Sequence, residues 1–127
     1  MGEMTRLLAD CEVGLRSLQE VQKLYDDDMW EIDDPKFANL RHVHLHLSVT
    51  VGKLAKVVEP NDHKSYRSEQ VDVPSLGEEL SPVLADLVMH AAQIANMLGG
   101  DLGRMLVNRY KQNAARFAPD SDFAKID

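Results

Sequence analysis

The sequence has a single cysteine, Cys11, among 127 residues. That excludes a disulfide framework and a cysteine-based zinc site, and it fits a reducing compartment. Positive charge is also short: 14 basic residues face 21 acidic ones, a formal net charge of -7. A nucleic-acid groove needs a net basic surface, so no nucleic-acid partner is expected. No apolar run approaches the ~18 residues that span a bilayer, and the opening Met1-Gly2-Glu3-Met4-Thr5 lacks a signal peptide's basic and apolar regions. The expectation is a soluble, cytoplasmic protein without a membrane partner. Aromatic residues are scarce at 6%, and strand-like alternation is confined to Val43–Val49. Leu, Ala, Met, Val, Glu, Lys and Arg dominate instead, which is helix chemistry.

Four segments carry helical periodicity. The first runs roughly from Thr5 to Tyr25, with Leu8, Cys11, Leu15, Leu18 and Tyr25 at helical spacings. The second opens at Asp34-Pro35, an acidic N-cap before a proline at the first helical position, and closes at Glu59-Pro60. Its stripe is Phe37, Leu40, His44, Leu47, Val51, Leu54 and Val58. This unbroken three-four alternation outweighs the short alternating patch. Residues 60–74 are polar and bounded by prolines, and read as the longest loop. The third helix starts with a capping box, Ser75 and Glu78, and carries Leu76, Leu80, Leu84, Leu87, Ala91, Ile94 and Leu98. Gly99-Gly100 stops it. Asp101 then caps a fourth helix to about Phe117, with Leu102, Met105, Leu106, Tyr110 and Phe117 facing inward, and residues 118–127 form a tail.

The spacing therefore predicts one all-α domain over residues 1–127, a four-helix bundle. The short Gly99-Gly100 link makes helices three and four antiparallel neighbours. The first three helices, about 20–25 residues or 30–37 Å long, carry stripes that one short chain does not fully shield. Completion by dimerisation, or as a dimer of dimers, follows.

The third and fourth helices hold the informative run: Leu84-Ala85-Asp86, then Gly100-Asp101, then Lys111-Gln112-Asn113-Ala114-Ala115-Arg116. Over roughly residues 37–117 this resembles the MazG-like family of all-α nucleoside triphosphate pyrophosphohydrolases. There a Glu-Leu-Ala-Asp helix is followed by a short Gly-Asp link and a last helix ending in Lys-Asn-x-x-Arg. Asp86, Asp101, Asn113 and Arg116 match. The family's Glu-Glu-x-Gly-Glu-Leu helix falls on Val49-Thr50-Val51-Gly52-Lys53-Leu54, where Gly52 and Leu54 match. The resemblance implies the family's bundle, nucleotide binding, and magnesium held by motif carboxylates that grip the substrate phosphates.

This chain departs from that pattern at the metal. The motif glutamates are replaced by Val49, Thr50, Lys53 and Val83, and one ligand, Asp86, remains of five. A lone carboxylate holds magnesium poorly, and a lysine ammonium repels it. Two substitutes stay open. Glu79, one heptad before Asp86, can supply a second carboxylate; alternatively Lys53 can take over the metal's charge and bind phosphate directly. The third possibility is a retained bundle whose metal site is lost. On the last helix Arg109, Asn113 and Arg116 stand at i, i+4 and i+7, a face suited to a nucleotide phosphate or base edge, or else solvated cations that favour the helix dipole. The candidate substrate-binding residues are thus Lys53, Arg109, Asn113 and Arg116, and the candidate metal ligands Asp86 and Glu79. The expected function is nucleotide binding with weak or absent pyrophosphohydrolase activity. The alternative is a non-catalytic helical module that binds a protein partner.

Two further features have plainer readings. His42 and His46 have the i, i+4 spacing that can chelate zinc or nickel, but His44 lies on the apolar stripe, so the three do not converge. The pattern reads as a buried, hydrogen-bonded His44 and two surface histidines. Asp26–Asp34 holds six carboxylates around Met29, Trp30 and Ile32 without the EF-hand order. It reads as a solvated connector with Trp30 folded back on the bundle, or as an acidic docking loop.

Overall fold

In a computed structural model of the protein, residues 2–29 and 37–127 are described. They form four α-helices: α1 (Gly2–Met29), α2 (Phe37–Tyr66), α3 (Val73–Met97) and α4 (Leu102–Phe117), followed by a 3-10 turn at Asp122–Lys125. Among the described residues there is no strand, so the all-α expectation holds. No helix among them is long and apolar enough to cross a membrane. The Asp34-Pro35 start and Trp30 lie outside the described residues. The chain divides into two compact units: Met1–Glu31 with Ala92–Asp127, and Ile32–Ala91.

In the first unit α1 packs against α4 and the last turns of α3. Its buried apolar residues are Ala92, Ala95 and Val107, all small or branched, so the helices approach closely. Gly103 is part of that approach. A Cβ there would stand 2.8 Å from Glu12 Cα, a clash with backbone that no rotamer relieves. The buried residues of α1 are Gln19 and Gln22, not the leucines of its stripe. Gln19 Nε2 donates to Gly100 O at 2.9 Å and to Asn96 Oδ1 at 3.0 Å, while its Oε1 accepts from Leu102 N–H at 2.8 Å. Asn96 Nδ2 donates back to Gln19 O at 2.9 Å. One turn on, Gln22 Nε2 and Gln93 Nε2 both donate to Asp26 Oδ1, at 2.9 and 2.8 Å. Asp26–Asp28 thus belong to α1, which runs four residues past Tyr25; they are not connector.

The link between α3 and α4 follows its sequence signals. Gly99 adopts φ +66°, its N–H bonds Asn96 O, and the Gly100 N–H bonds Ala95 O. This is the paired closure of a helix end in which the residue after the cap takes the left-handed conformation. Asp101 then caps α4 by accepting from Arg104 N–H at 3.0 Å. The inward face of α4 differs from expectation. Gly103 and Val107 are buried, whereas Met105, Tyr110 and Phe117 are exposed. Tyr110 meets Phe123 of the 3-10 turn, ring centroids 5.7 Å apart, so the tail folds back on α4.

In the second unit α2 and the first five turns of α3 form an antiparallel hairpin, with Thr50 opposite His90 and Asn61 near Ser75. Two boundaries depart from the sequence reading. First, α2 continues through Pro60 to Tyr66, so residues 60–74 are not one long loop. Pro60 is exposed, and a missing backbone donor matters least where water reaches the freed carbonyl. In the next position Asn61 Nδ2 donates to Val57 O at 2.8 Å. The helix ends instead at Tyr66, and Ser68, with φ of +59°, closes the same kind of motif as Gly99. Second, α3 is capped one turn early. Asp72 Oδ1 accepts from Ser75 N–H at 3.3 Å, and Pro74 sits in the first turn, where it needs no donor.

The inward stripe of α2 is Leu40, Val43, Leu47, Thr50, Leu54 and Val57, with Val43 and Thr50 buried and the other four half-buried. It shares Leu40, Leu47 and Leu54 with the expected stripe but takes the residue before each remaining position. His44, Val51 and Val58 are therefore exposed, and His44 is not a buried hydrogen-bonded histidine. On α3 Val83 is buried at 5% exposure while Leu84 is 56% exposed.

Gln19 holds three helix segments at once, so its removal strands several polar groups together. Gln19→Ala should lower unfolding stability by roughly 2–4 kcal/mol, at ~1 kcal/mol per lost bond plus the unsatisfied Leu102 N–H. Urea unfolding measures this; a change under ~0.5 kcal/mol would contradict the role of the network.

Candidate functional site

The four residues that the resemblance aligns with motif glutamates belong to the second unit, and two of them are structural. Thr50 is 4% exposed, and its hydroxyl hydrogen-bonds His90 Nε2 at 3.0 Å, the ring tautomer deciding which group donates. Val83 is buried in the stripe of α3. Val49 is 57% exposed and Lys53 is exposed. Magnesium takes hard oxygen ligands, mainly carboxylates and water. A valine, a hydroxyl already bonded to a histidine, a lysine ammonium and a second, buried valine do not fit it.

The proposed substitutes are separated along α3. Asp86 is half-buried and Glu79 exposed, two turns and ~10.5 Å of helix rise apart. Glu79 lines a cleft of about 210 Å³ with Lys56, Asn61 and Lys64 of α2 and with Asp72 and Ser75. Two lysines share that cleft with two carboxylates, a balanced charge set and not a metal cage. Among the described residues no group of three or more His, Cys, Asp or Glu side chains is placed to hold a metal ion.

The cationic face lies in the first unit. Arg109, Asn113 and Arg116 are all exposed on α4, and their i, i+4, i+7 spacing puts them on one side of the helix. The Arg116 guanidinium carbon stands 4.8 Å from the ring centre of Phe117, a cation–π contact that leaves the N–H edge available to an acceptor. Four cations stand on this 16-residue helix, which contains no acid. Arg104 alone of the four is committed elsewhere, to Glu12 at 3.4 Å and to Asp127 O at 3.3 Å.

Asp101, one of the matched residues, has a structural assignment. It caps α4 and pairs with Arg16 Nη2 at 3.5 Å. The Thr50–His90 pair was not foreseen from sequence. Its signal was present, because Thr50 stands seven residues after Val43 and seven before Val57, on the face that α2 buries. The two histidines of α2 at positions 42 and 46 are exposed, with Nε2 atoms 3.0 Å apart.

The backbone N–H of Arg104 holds the Asp101 carboxyl below its ordinary value; desolvation opposes it less strongly, and the charge of Arg16 adds a still smaller lowering. A depressed carboxylate contributes stability that is present above the ordinary aspartate value of ~3.9 and is lost as pH falls through the depressed one. Asp101→Asn keeps a capping oxygen but cannot titrate. The variant should unfold with a flatter acid limb below about pH 4 than the parent. Identical acid limbs in thermal unfolding would contradict the assignment.

No family model matches the chain, and neither does any curated protein or solved structure.

Proposed function

We propose that the protein is a MazG-like helical protein that binds a nucleotide through α4 and turns it over weakly or not at all. The observation that carries this reading is the exposed Arg109, Asn113 and Arg116 face, set beside carboxylate positions occupied by Val49, Thr50, Lys53 and Val83. Arginine offers a planar fork of donors to a phosphate, and an amide beside it can read a base or ribose edge. In the second unit the exposed Lys53 is a separate cation suited to bind phosphate without metal. Release of pyrophosphate needs charge neutralisation on the phosphates and an activated water. With the metal ligands replaced, the chain has residues for the first task and none for the second.

A homodimer, or a dimer of dimers, is part of the same proposal. Leu45, Val49, Val51 and Val58 on α2, with Leu84 and Val88 on α3, are between 43 and 58% exposed. Among the described residues no large side chain is fully buried. Helices with apolar residues on two faces are stable when a second layer covers the outer one. These exposed residues also favour the second reading, a non-catalytic module that docks a protein partner on the hairpin.

Triphosphates should bind in calorimetry without added metal, and Arg116→Ala should weaken them by ~1.5–3 kcal/mol, the worth of a charge-assisted bond. Equal binding by parent and variant, or binding by neither, would leave the docking reading. Pyrophosphate release across canonical and modified triphosphates, with magnesium or manganese, should stay near background. A turnover near ~1 s⁻¹ would overturn that and point to Glu79 with Asp86. Light scattering after gel filtration should give at least a dimer, and a monomer at ~100 µM, far above a micromolar dissociation constant, would sink the assembly.

A further inference from the structure

One geometric feature lies outside that reading. His42 and His46 are exposed on α2, and their Nε2 atoms converge to 3.0 Å, with ring centroids 4.5 Å apart and planes inclined by 70°. Helical neighbours at i, i+4 bring side chains onto one face, but they do not oblige two rings to point the same nitrogens at one spot. At this distance the two Nε2 atoms are within hydrogen-bond reach, the ring tautomers deciding which one donates.

We propose that His42 and His46 form a two-histidine site for a divalent transition-metal ion, with nickel(II) or copper(II) favoured over zinc(II). The distance carries the preference. Metal–imidazole bonds are ~2.05 Å, so two such bonds across a 3.0 Å base meet at about 94°. That is the angle between adjacent positions of a square-planar or octahedral ion. A tetrahedral zinc ion needs ~109°, and hence nitrogens about 3.3 Å apart. The order of intrinsic affinity, in which copper leads and nickel follows for nitrogen ligands, acts in the same direction for copper. Magnesium and calcium prefer oxygen and gain nothing here.

Binding requires one rearrangement. The ring that donates its Nε2 proton moves it to Nδ1, and both Nε2 lone pairs then face the ion. Two ligands leave the other coordination positions to water or to an incoming donor. His44 takes no part, because two residues along a helix turn it about 200° from His42.

The experiment is calorimetry of the full chain, free of any polyhistidine tag, with nickel chloride. One site per chain is expected. His42→Ala and His46→Ala should each weaken nickel at least tenfold, while His44→Ala leaves it unchanged. All three positions are exposed, and circular dichroism checks that helix content is retained. A second readout needs no variant: substoichiometric nickel should broaden the ring-proton resonances of His42 and His46 before those of His44, His63 and His90. Zinc should bind more weakly than nickel, and a hundredfold excess of magnesium should not displace nickel. Equal nickel binding by the double alanine variant, no binding by the parent at millimolar metal, or broadening that begins at the other histidines would overturn the site. Zinc binding tenfold tighter than nickel would overturn the right-angle geometry.

Discussion

The side chain of Gln19 is the constraint on which the first unit depends. Its oxygen takes the N–H of Leu102, which has no partner inside α4 because it is the first residue of that helix. Its nitrogen takes the carbonyl of Gly100, which follows the end of α3. One glutamine thus closes the polar groups of a helix start and a helix stop, and Asn96 ties the arrangement back to the backbone of α1. Because amides demand direction as well as proximity, this fixes the approach of α1 more tightly than leucines would. The contact of Gly103 with Glu12 and the burial of Val107 follow along the same helix pair. An unsatisfied network of this kind costs more than an apolar core, so it persists only when every member is bonded. Here no buried side-chain nitrogen or oxygen among the described residues lacks a partner.

The second unit is organised by register. Leu40, Leu47 and Leu54 are common to two overlapping heptad stripes, one completed by Val43, Thr50 and Val57 and the other by His44, Val51 and Val58. Both sets repeat every seven residues and both contain valines. What separates them is the partner helix: Thr50 finds His90, and Val83 fills the space facing α2, so the first stripe is buried. The second is left outside with Leu45 and Val49. That ambiguity is why an apolar outer face remains available on this hairpin.

The position of Thr50 also bears on the chemistry. Thr50, which the resemblance alone aligns with a metal ligand, is part of helix packing, and its oxygen is hydrogen-bonded to an imidazole. The remaining polar chemistry is distributed over α4, whose arginines are exposed, and over the exposed histidine pair of α2. The cationic character of α4 is legible in its residues, whereas the contacts of His90 and Gln93 and the converging imidazoles are not. Those depend on neighbours that lie tens of residues away, or on a ring rotation that spacing alone leaves open.

The sequence by itself determined that the chain is helical, where α3 stops, and how α4 begins. Gly99-Gly100 and Asp101 act through their own backbone freedom and hydrogen bonds within a few residues, so local chemistry suffices. It also determined which residues are cationic. Tertiary structure decided which face of each helix is covered, because a three-four stripe describes a periodicity and not a direction. It decided that α2 passes Pro60 and ends at Tyr66, since a proline breaks one backbone bond and its neighbours settle whether the helix continues. It also decided that the buried residues of α1 are glutamines and not leucines. Burial of an amide is favourable only when its partners are already in place, and those partners come from the far end of the chain.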